Sequence, residues 1–472
     1  MTNKIKPVWT NGAMDPESPN KTFCVAPWTH TYISPQSERR MCCASREDHM
    51  MQRQYIDASN DESTGKYKAV GTMADYKPIS LEDHWNSPYM MDIRKRLMAG
   101  ETIDQCAVCN DGILSQSTYR QWFTGHLFND KIDEIYEKTT DEGYTELKPI
   151  SFDYRVSNLC NFKCRMCGEP LSSAWEAEKR KHNLWTPEDQ PFMVPENKKI
   201  IEKFQKEVVE EEFWEAICSG TVEELYWVGG EPLMYDIHWR AMDRLAQDDT
   251  LTKVHLRYNS NLSRIRFNNH YLYDWLPQAK DWTMCASIDG IGEIGEFIRT
   301  GLDWEQWDKN FREGVALPHG KDKMLMDLTL TGPGMFGLKD LFDYALALDV
   351  KIETKRMFAF HADVVLSPMA WPRDILNRII DDALAYIEPR ATDRQQTLVN
   401  ELKAMYNAPT FQEQFPDVAE EKFFQGRNWQ DKIADIRTKE CKLRIEDIYK
   451  ADTELYEWWM RPSSVISTVN IK

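Results

Sequence analysis

The chain has 472 residues, of which 42% are hydrophobic and 28% charged, and its formal charge is −18. This is a globular composition with length for two or three domains, and so acidic a chain argues against a nucleic-acid partner, which needs a basic footprint. No run approaches the roughly 18 uninterrupted apolar residues of a membrane span, and the first residues lack the apolar core of a secretory signal, so the expected location is cytoplasmic with no membrane partner.

Taken in chain order, residues 10–20 and 57–72 are polar and read as loops. Cys24 to Cys43 lie between them. An amphipathic helix is expected over 81–99, ending at Gly100, with Cys106 and Cys109 after it. From residue 150 strands alternate with helices. The strands are expected at 150–156, 223–228, 252–258, 282–288, 323–330 and 351–357, and the helices at 196–217, 236–247, 304–316 and 337–349. Trp371–Tyr456 has helical periodicity throughout. The fold class is α/β: a partial (β/α)6 barrel of the TIM type, because right-handed crossovers curl such a parallel sheet. An N-terminal cysteine-rich domain (1–145) precedes the barrel (146–360), and a helical region (361–472) follows it.

Alternate strand positions form a polar row: Asp153 and Arg155; His255, Arg257 and Asn259; Ser287 and Asp289; Asp327 and Thr329; Thr354 and Arg356. Doubly buried parallel strands are normally apolar on both faces. One polar face suits a lumen that holds a polar ligand.

Eleven cysteines in such a chain point to metal or redox chemistry before disulfides. Cys160, Cys164 and Cys167 follow the first expected barrel strand. Three thiolates can hold three irons of a 4Fe–4S cluster and leave the fourth open to a ligand. A zinc site usually wants four protein ligands, and the local loop offers no fourth cysteine or histidine.

The Cys160-x3-Cys164-x2-Cys167 spacing resembles the signature of the radical SAM superfamily. The resemblance implies that the open iron chelates S-adenosylmethionine. Reductive cleavage then yields a 5′-deoxyadenosyl radical that takes hydrogen from a substrate. Three further segments resemble the family's motifs. Gly229-Gly230-Glu231 looks like the segment that binds the methionyl ammonium, and its glycines let backbone approach a ligand. Asn259 and Asn261 resemble the ribose-contacting segment. Ser287 with Arg299 resembles the pair that engages the methionyl carboxylate. Met166 stands where the family usually has an aromatic residue, and its thioether would pack on adenine.

The N-terminal segment is similar to a twitch/SPASM auxiliary-cluster module. It opens on Cys24-Val-Ala-Pro-Trp28, continues through a hairpin to Cys42-Cys43 and a Trp85-Asn-Ser87 helix, and closes on Cys106-x2-Cys109. In many members this module follows the barrel. The hairpin also has Ser37 where a glycine is usual. The resemblance implies a second 4Fe–4S cluster on Cys24, Cys42, Cys106 and Cys109. Cys43 is the alternative to Cys42, since adjacent strand residues face opposite ways, and a structural four-cysteine zinc site is the other reading. Cys285 shares strand parity with Ser287 and faces either the lumen or the core. His361, Phe358 and Phe360 line the barrel mouth or pack.

The implied function is a radical SAM oxidoreductase fed by flavodoxin or ferredoxin. Its first expected substrate is a peptide or protein, and a carbohydrate, nucleotide or other small metabolite comes next. A non-catalytic iron–sulfur scaffold is the alternative from a different class.

Overall fold

The computed structural model describes residues 4–10, 12–46, 78–110, 118–357 and 365–462. The expected loop at 57–72 and the residues Phe358, Phe360 and His361 lie outside these. Eight strands carry the architecture: β1 (His30–Ile33), β2 (Arg39–Arg40), β3 (Ser151–Tyr154), β4 (Glu224–Trp227), β5 (His255–Ser260), β6 (Asp281–Ser287), β7 (Met324–Leu330) and β8 (Lys351–Arg356). The last six are the strands expected from the sequence. β5 starts later than expected because Leu251–Lys253 form a 3-10 turn. The chain forms two compact units, the first made of Met1–Leu159, Glu176–Arg257 and Gln278–Asp281, the second of Cys160–Trp175, Tyr258–Pro277 and Trp282–Lys472.

In the first unit β1 and β2 form an antiparallel hairpin with Ile33 opposite Arg39. Its turn needs a left-handed residue, and Ser37 supplies it at φ +63°. This is the position where the resembled module has glycine. β1 also runs parallel to β3, with His30 opposite Ser151, so the hairpin extends the sheet. β3 is parallel to β4, with Ser151 opposite Glu224, and the N–H of His255 at the start of β5 donates to Glu223 O at 2.8 Å.

Alternation gives this sheet two unlike faces. Phe152, Tyr154 and Trp227 pack on Phe213 of the helix Glu210–Ser219, with ring centroids 5.6–5.9 Å apart. The opposite face carries His30, Tyr32, Ser151, Asp153, Glu224 and Tyr226 by the same register. Phe123 and Trp122 of the wide helical turn Gln121–Leu127 pack on it through His30 and His255.

Two helices depart from expectation. The 81–99 helix is two helices, Leu81–Trp85 and Pro88–Met98, because Ser87 caps the second and Pro88 occupies its first turn. The 196–217 helix is interrupted at Gln205–Val209, where Gln205 turns its amide to Ser34 O at 3.0 Å. Residues 10–20 include all but Trp9 of a small ribbon, Trp9–Thr10 against Ala13–Met14.

In the second unit β6, β7 and β8 are parallel. Trp282, Met284, Ala286 and Ile288 are buried, as the alternation requires. The polar row needs one correction. Register sets Asp327 opposite Glu353 and Leu330 opposite Arg356, so Thr354 and Arg356 share the face of Ile352, Leu328 and Leu330. Arg356 accordingly pairs with Glu401 of the helix Gln396–Asn407, while Lys355 reaches Asp327 at 2.8 Å. Parity along β8 already required this, since positions 352, 354 and 356 must point the same way. Among the described residues 365–462 are helical or irregular with no strand, and no described helix is long and apolar enough to cross a membrane.

Candidate functional site

Cys160, Cys164 and Cys167 lie on one short loop of the second unit. The Cys167 N–H donates to Cys164 O at 3.0 Å, which coils the loop. The Trp175 indole donates to Cys164 O at 2.8 Å, and the Ser172 hydroxyl donates to Phe162 O at 2.6 Å. Each of the first two sulfurs faces nitrogen donors. The Phe162 N–H is 3.5 Å and the Asn261 amide 3.8 Å from Cys160 Sγ, and Arg299 Nη1 is 3.9 Å from Cys164 Sγ. Burial pushes the Cys164 thiol up against the opposing pull of Arg299, and it pushes Cys167 up to about 12.

A ribbon of Arg299–Thr300 against Lys163–Cys164 puts Arg299 opposite Cys164. Arg299 Nε stands 2.6 Å from Asp289 Oδ2, and the Asp289 carboxylate also takes the Thr329 N–H at 2.8 Å. Burial alone would lower the Arg299 pKa, but Asp289 and then Cys164 outweigh it, so the guanidinium is held firmly charged. The expected carboxylate-binding arginine is therefore already shared with Asp289. Ser287 is half-buried opposite Asp327, and Cys285 is half-buried on the same face. Asn259 donates to Asp327 at 3.1 Å, and Asn261 to Asn161 at 3.0 Å. Met166 is half-buried.

In the first unit, Gly229, Gly230 and Glu231 follow β4. A Cβ on Gly230 would stand 2.3 Å from Leu159 O, so backbone packing on Asn158–Leu159 demands glycine there. Gly229 has φ +124°. The Glu231 N–H donates to Leu159 O at 2.7 Å, and Gly230 N–H to the Tyr235 hydroxyl, which itself donates to Ser157 O. Glu231 is buried and its Oε1 caps the following turn at Leu233 N, 3.0 Å.

The N-terminal cysteines also lie in the first unit. Cys24, Cys42, Cys106 and Cys109 line one small cavity, partly open to solvent, together with Met41, Tyr119, Arg120 and Phe123. Cys43 is absent from that lining and lies instead beside Tyr119, near Asp153 and Arg155. Burial and then the neighbouring thiols raise Cys42, and burial lifts Cys24 to about 11 and Cys106 to about 12, with Arg120 opposing both.

The donor chemistry of both groups fits iron–sulfur ligation, since soft thiolates on short loops hold such clusters and N–H groups aimed at sulfur tune them. Among the described residues no three Cys, His, Asp or Glu side chains converge to hold one metal ion. A cubane presents separate irons to its thiolates, so its ligands need not meet at one point.

Sequence reasoning missed the C-terminal contribution to the cysteine loop. Arg437 lies over Trp175 at 4.2 Å and donates to Lys163 O at 2.8 Å, and Gln430 accepts from Arg165 at 2.9 Å. Nothing local to 430–437 signals a partner some 270 residues away. Tyr119 and Arg120 beside the N-terminal cysteines were missed for the same reason.

No family model matches the chain, and no curated protein does. Among solved structures the chain is similar to Streptococcus suis SuiB. The structure bound to precursor peptide SuiA matches at 12% identity over 59% of this chain and 54% of that one, TM-score 0.32. SuiB alone matches at 12% over 68% and 66%, TM-score 0.35, and SuiB bound to S-adenosylmethionine at 11% over 66% and 64%, TM-score 0.30. Likenesses at this level carry no functional argument.

Proposed function

We propose that the chain is a radical SAM enzyme with a partial (β/α)6 barrel over residues 146–360, preceded by an auxiliary-cluster domain and followed by a helical region. The observation that carries the reading is the thiol triad on one loop, with Phe162, Asn261 and Arg299 directing N–H groups at its sulfurs. The Gly229–Glu231, Asn259–Asn261 and Ser287…Arg299 segments support it by their order along the chain.

When bound, a 4Fe–4S cluster and S-adenosylmethionine supply reductive cleavage of the sulfonium and a 5′-deoxyadenosyl radical. Cys160, Cys164 and Cys167 hold the cluster. Glu231 accepts the methionyl ammonium, while Arg299, kept charged by Asp289, shares its fork with the carboxylate. Asn259 and Asn261 serve the ribose, and Met166 packs on adenine. Cys24, Cys42, Cys106 and Cys109 hold a second cluster, in preference to zinc. The proposed location is the cytoplasm, the reductant is flavodoxin or ferredoxin, and the substrate is a peptide or protein ahead of a small metabolite.

Anaerobic protein given dithionite and S-adenosylmethionine is expected to yield 5′-deoxyadenosine, and Cys164→Ala to abolish it. Unchanged production by that variant sinks the reading.

A further inference from the structure

Arg257 is the odd cation on the polar face of the first unit. Its guanidinium carbon lies 3.6 Å from the ring centroid of Tyr226 and 4.9 Å from that of Trp122. A guanidinium so close to a ring meets it face-on, which leaves its N–H donors pointing past the ring edge. Among the described residues none of those donors has an acceptor, and the side chain is only half-buried.

The carboxylates of this face make their hydrogen bonds elsewhere, although Glu224 lies close enough to support the charge of Arg257. Asp153 gives one oxygen to Arg155 Nε at 2.9 Å and the other to Nη2 at 3.0 Å. Glu224 accepts from the Ser151 hydroxyl through Oε2 and from the Trp122 indole at 3.4 Å through Oε1. Arg155 therefore has a two-point partner and Arg257 has none. The guanidinium therefore has negative charge nearby, from Glu224, but no two-point acceptor among the described residues. A fork held by aromatic rings with its donors free is prepared for a two-point anion.

We propose that Arg257 binds a carboxylate of an incoming ligand in two-point fashion, with Tyr226 and Trp122 fixing the guanidinium plane. The face holds two arginines and two acidic side chains, so a monoanion is accommodated, whereas a phosphate dianion would be repelled by Glu224. The inference rests on the proposed function only for calling that ligand the substrate. The binding itself does not depend on it.

The test uses the full-length protein and three probes: propionate, N-acetyl-Ala-Glu-Ala-amide and its Gln counterpart. Binding is followed by ligand-detected NMR. Wild type is expected to bind the two acids and not the Gln peptide. Arg257→Gln is expected to lose at least about tenfold in affinity, equivalent to ~1.4 kcal/mol. Arg257→Lys keeps the charge but not the fork and should fall between, which preserves the test if the Gln variant misfolds. Equal binding of the acids by wild type and both variants, or no binding by wild type, overturns the proposal. A protein that binds propionate through Arg257 but never cleaves S-adenosylmethionine would sink the proposed function and leave this inference standing.

Discussion

Arg299 and Asp289 form a buried ion pair, Nε to Oδ2 at 2.6 Å, on the side of Arg299 away from its 3.9 Å approach to Cys164 Sγ through Nη1. One guanidinium thus links a strand-end carboxylate to the cysteine loop. Asp289 is 1% exposed, and its removal strands a buried positive charge. Breaking such a pair costs roughly 3–5 kcal/mol. Asp289→Asn is expected to lower the unfolding free energy by that order, read as a lower urea midpoint, and to reduce iron retention. A variant with wild-type stability and iron content would show that the pair holds nothing in place.

Gly230 gives a second prediction. An alanine Cβ there meets the Leu159 carbonyl at 2.3 Å, with backbone on both sides and no flexible side chain to yield. Overpacking of this kind costs roughly 1–3 kcal/mol. Gly230→Ala should lower the denaturation midpoint accordingly and slow 5′-deoxyadenosine formation. Alanine tolerated on both measures would mean that the Asn158–Leu159 segment is free to move.

Cys42 and Cys43 separate the two sides of the N-terminal module. Cys42 faces the cavity with Cys24, Cys106 and Cys109, and Cys43 turns to Tyr119. After anaerobic reconstitution, Cys42→Ser is expected to lose one cluster's worth of iron and Cys43→Ser none. The reverse result would move the ligand assignment to Cys43. Stoichiometric zinc in place of iron would establish the structural-site reading.

Three buried histidines make stability depend on pH. Burial drives His30, His84 and His238 each down to about 3, whereas an unfolded histidine titrates near 6.5. Between those values the unfolded chain holds protons that the folded chain refuses. Their stabilisation is therefore present above about pH 6.5 and lost on acidification, by up to ~1.4 kcal/mol per pH unit for each histidine. The urea midpoint should be lower at pH 5.5 than at pH 7.5, and His238→Gln should reduce that difference by about a third. A midpoint independent of pH would contradict the buried neutral state.

Much of the fold was legible because local patterns carry it. The helix Asp236–Gln247 appears at its expected bounds, with Ile237, Ala241, Met242 and Leu245 at helical spacing and buried. The break at Pro88 was visible too, as serine before proline, but it was outweighed by the longer apolar pattern. The error at Thr354 and Arg356 came from reading polarity without parity. The site was legible as motifs and not as pairings. That Arg299 would be shared with Asp289, or Lys163 held by Arg437, depends on contacts across the chain that one sequence does not encode locally.

The central claim is that the triad leaves an iron open to S-adenosylmethionine. It is tested most directly by electron paramagnetic resonance of the dithionite-reduced protein, in the Cys42→Ser background so that one cluster contributes. Adding S-adenosylmethionine is predicted to shift the cluster signal, and Cys164→Ala to remove the signal altogether. A signal indifferent to S-adenosylmethionine, in protein that retains its full triad of cysteines, would contradict the account.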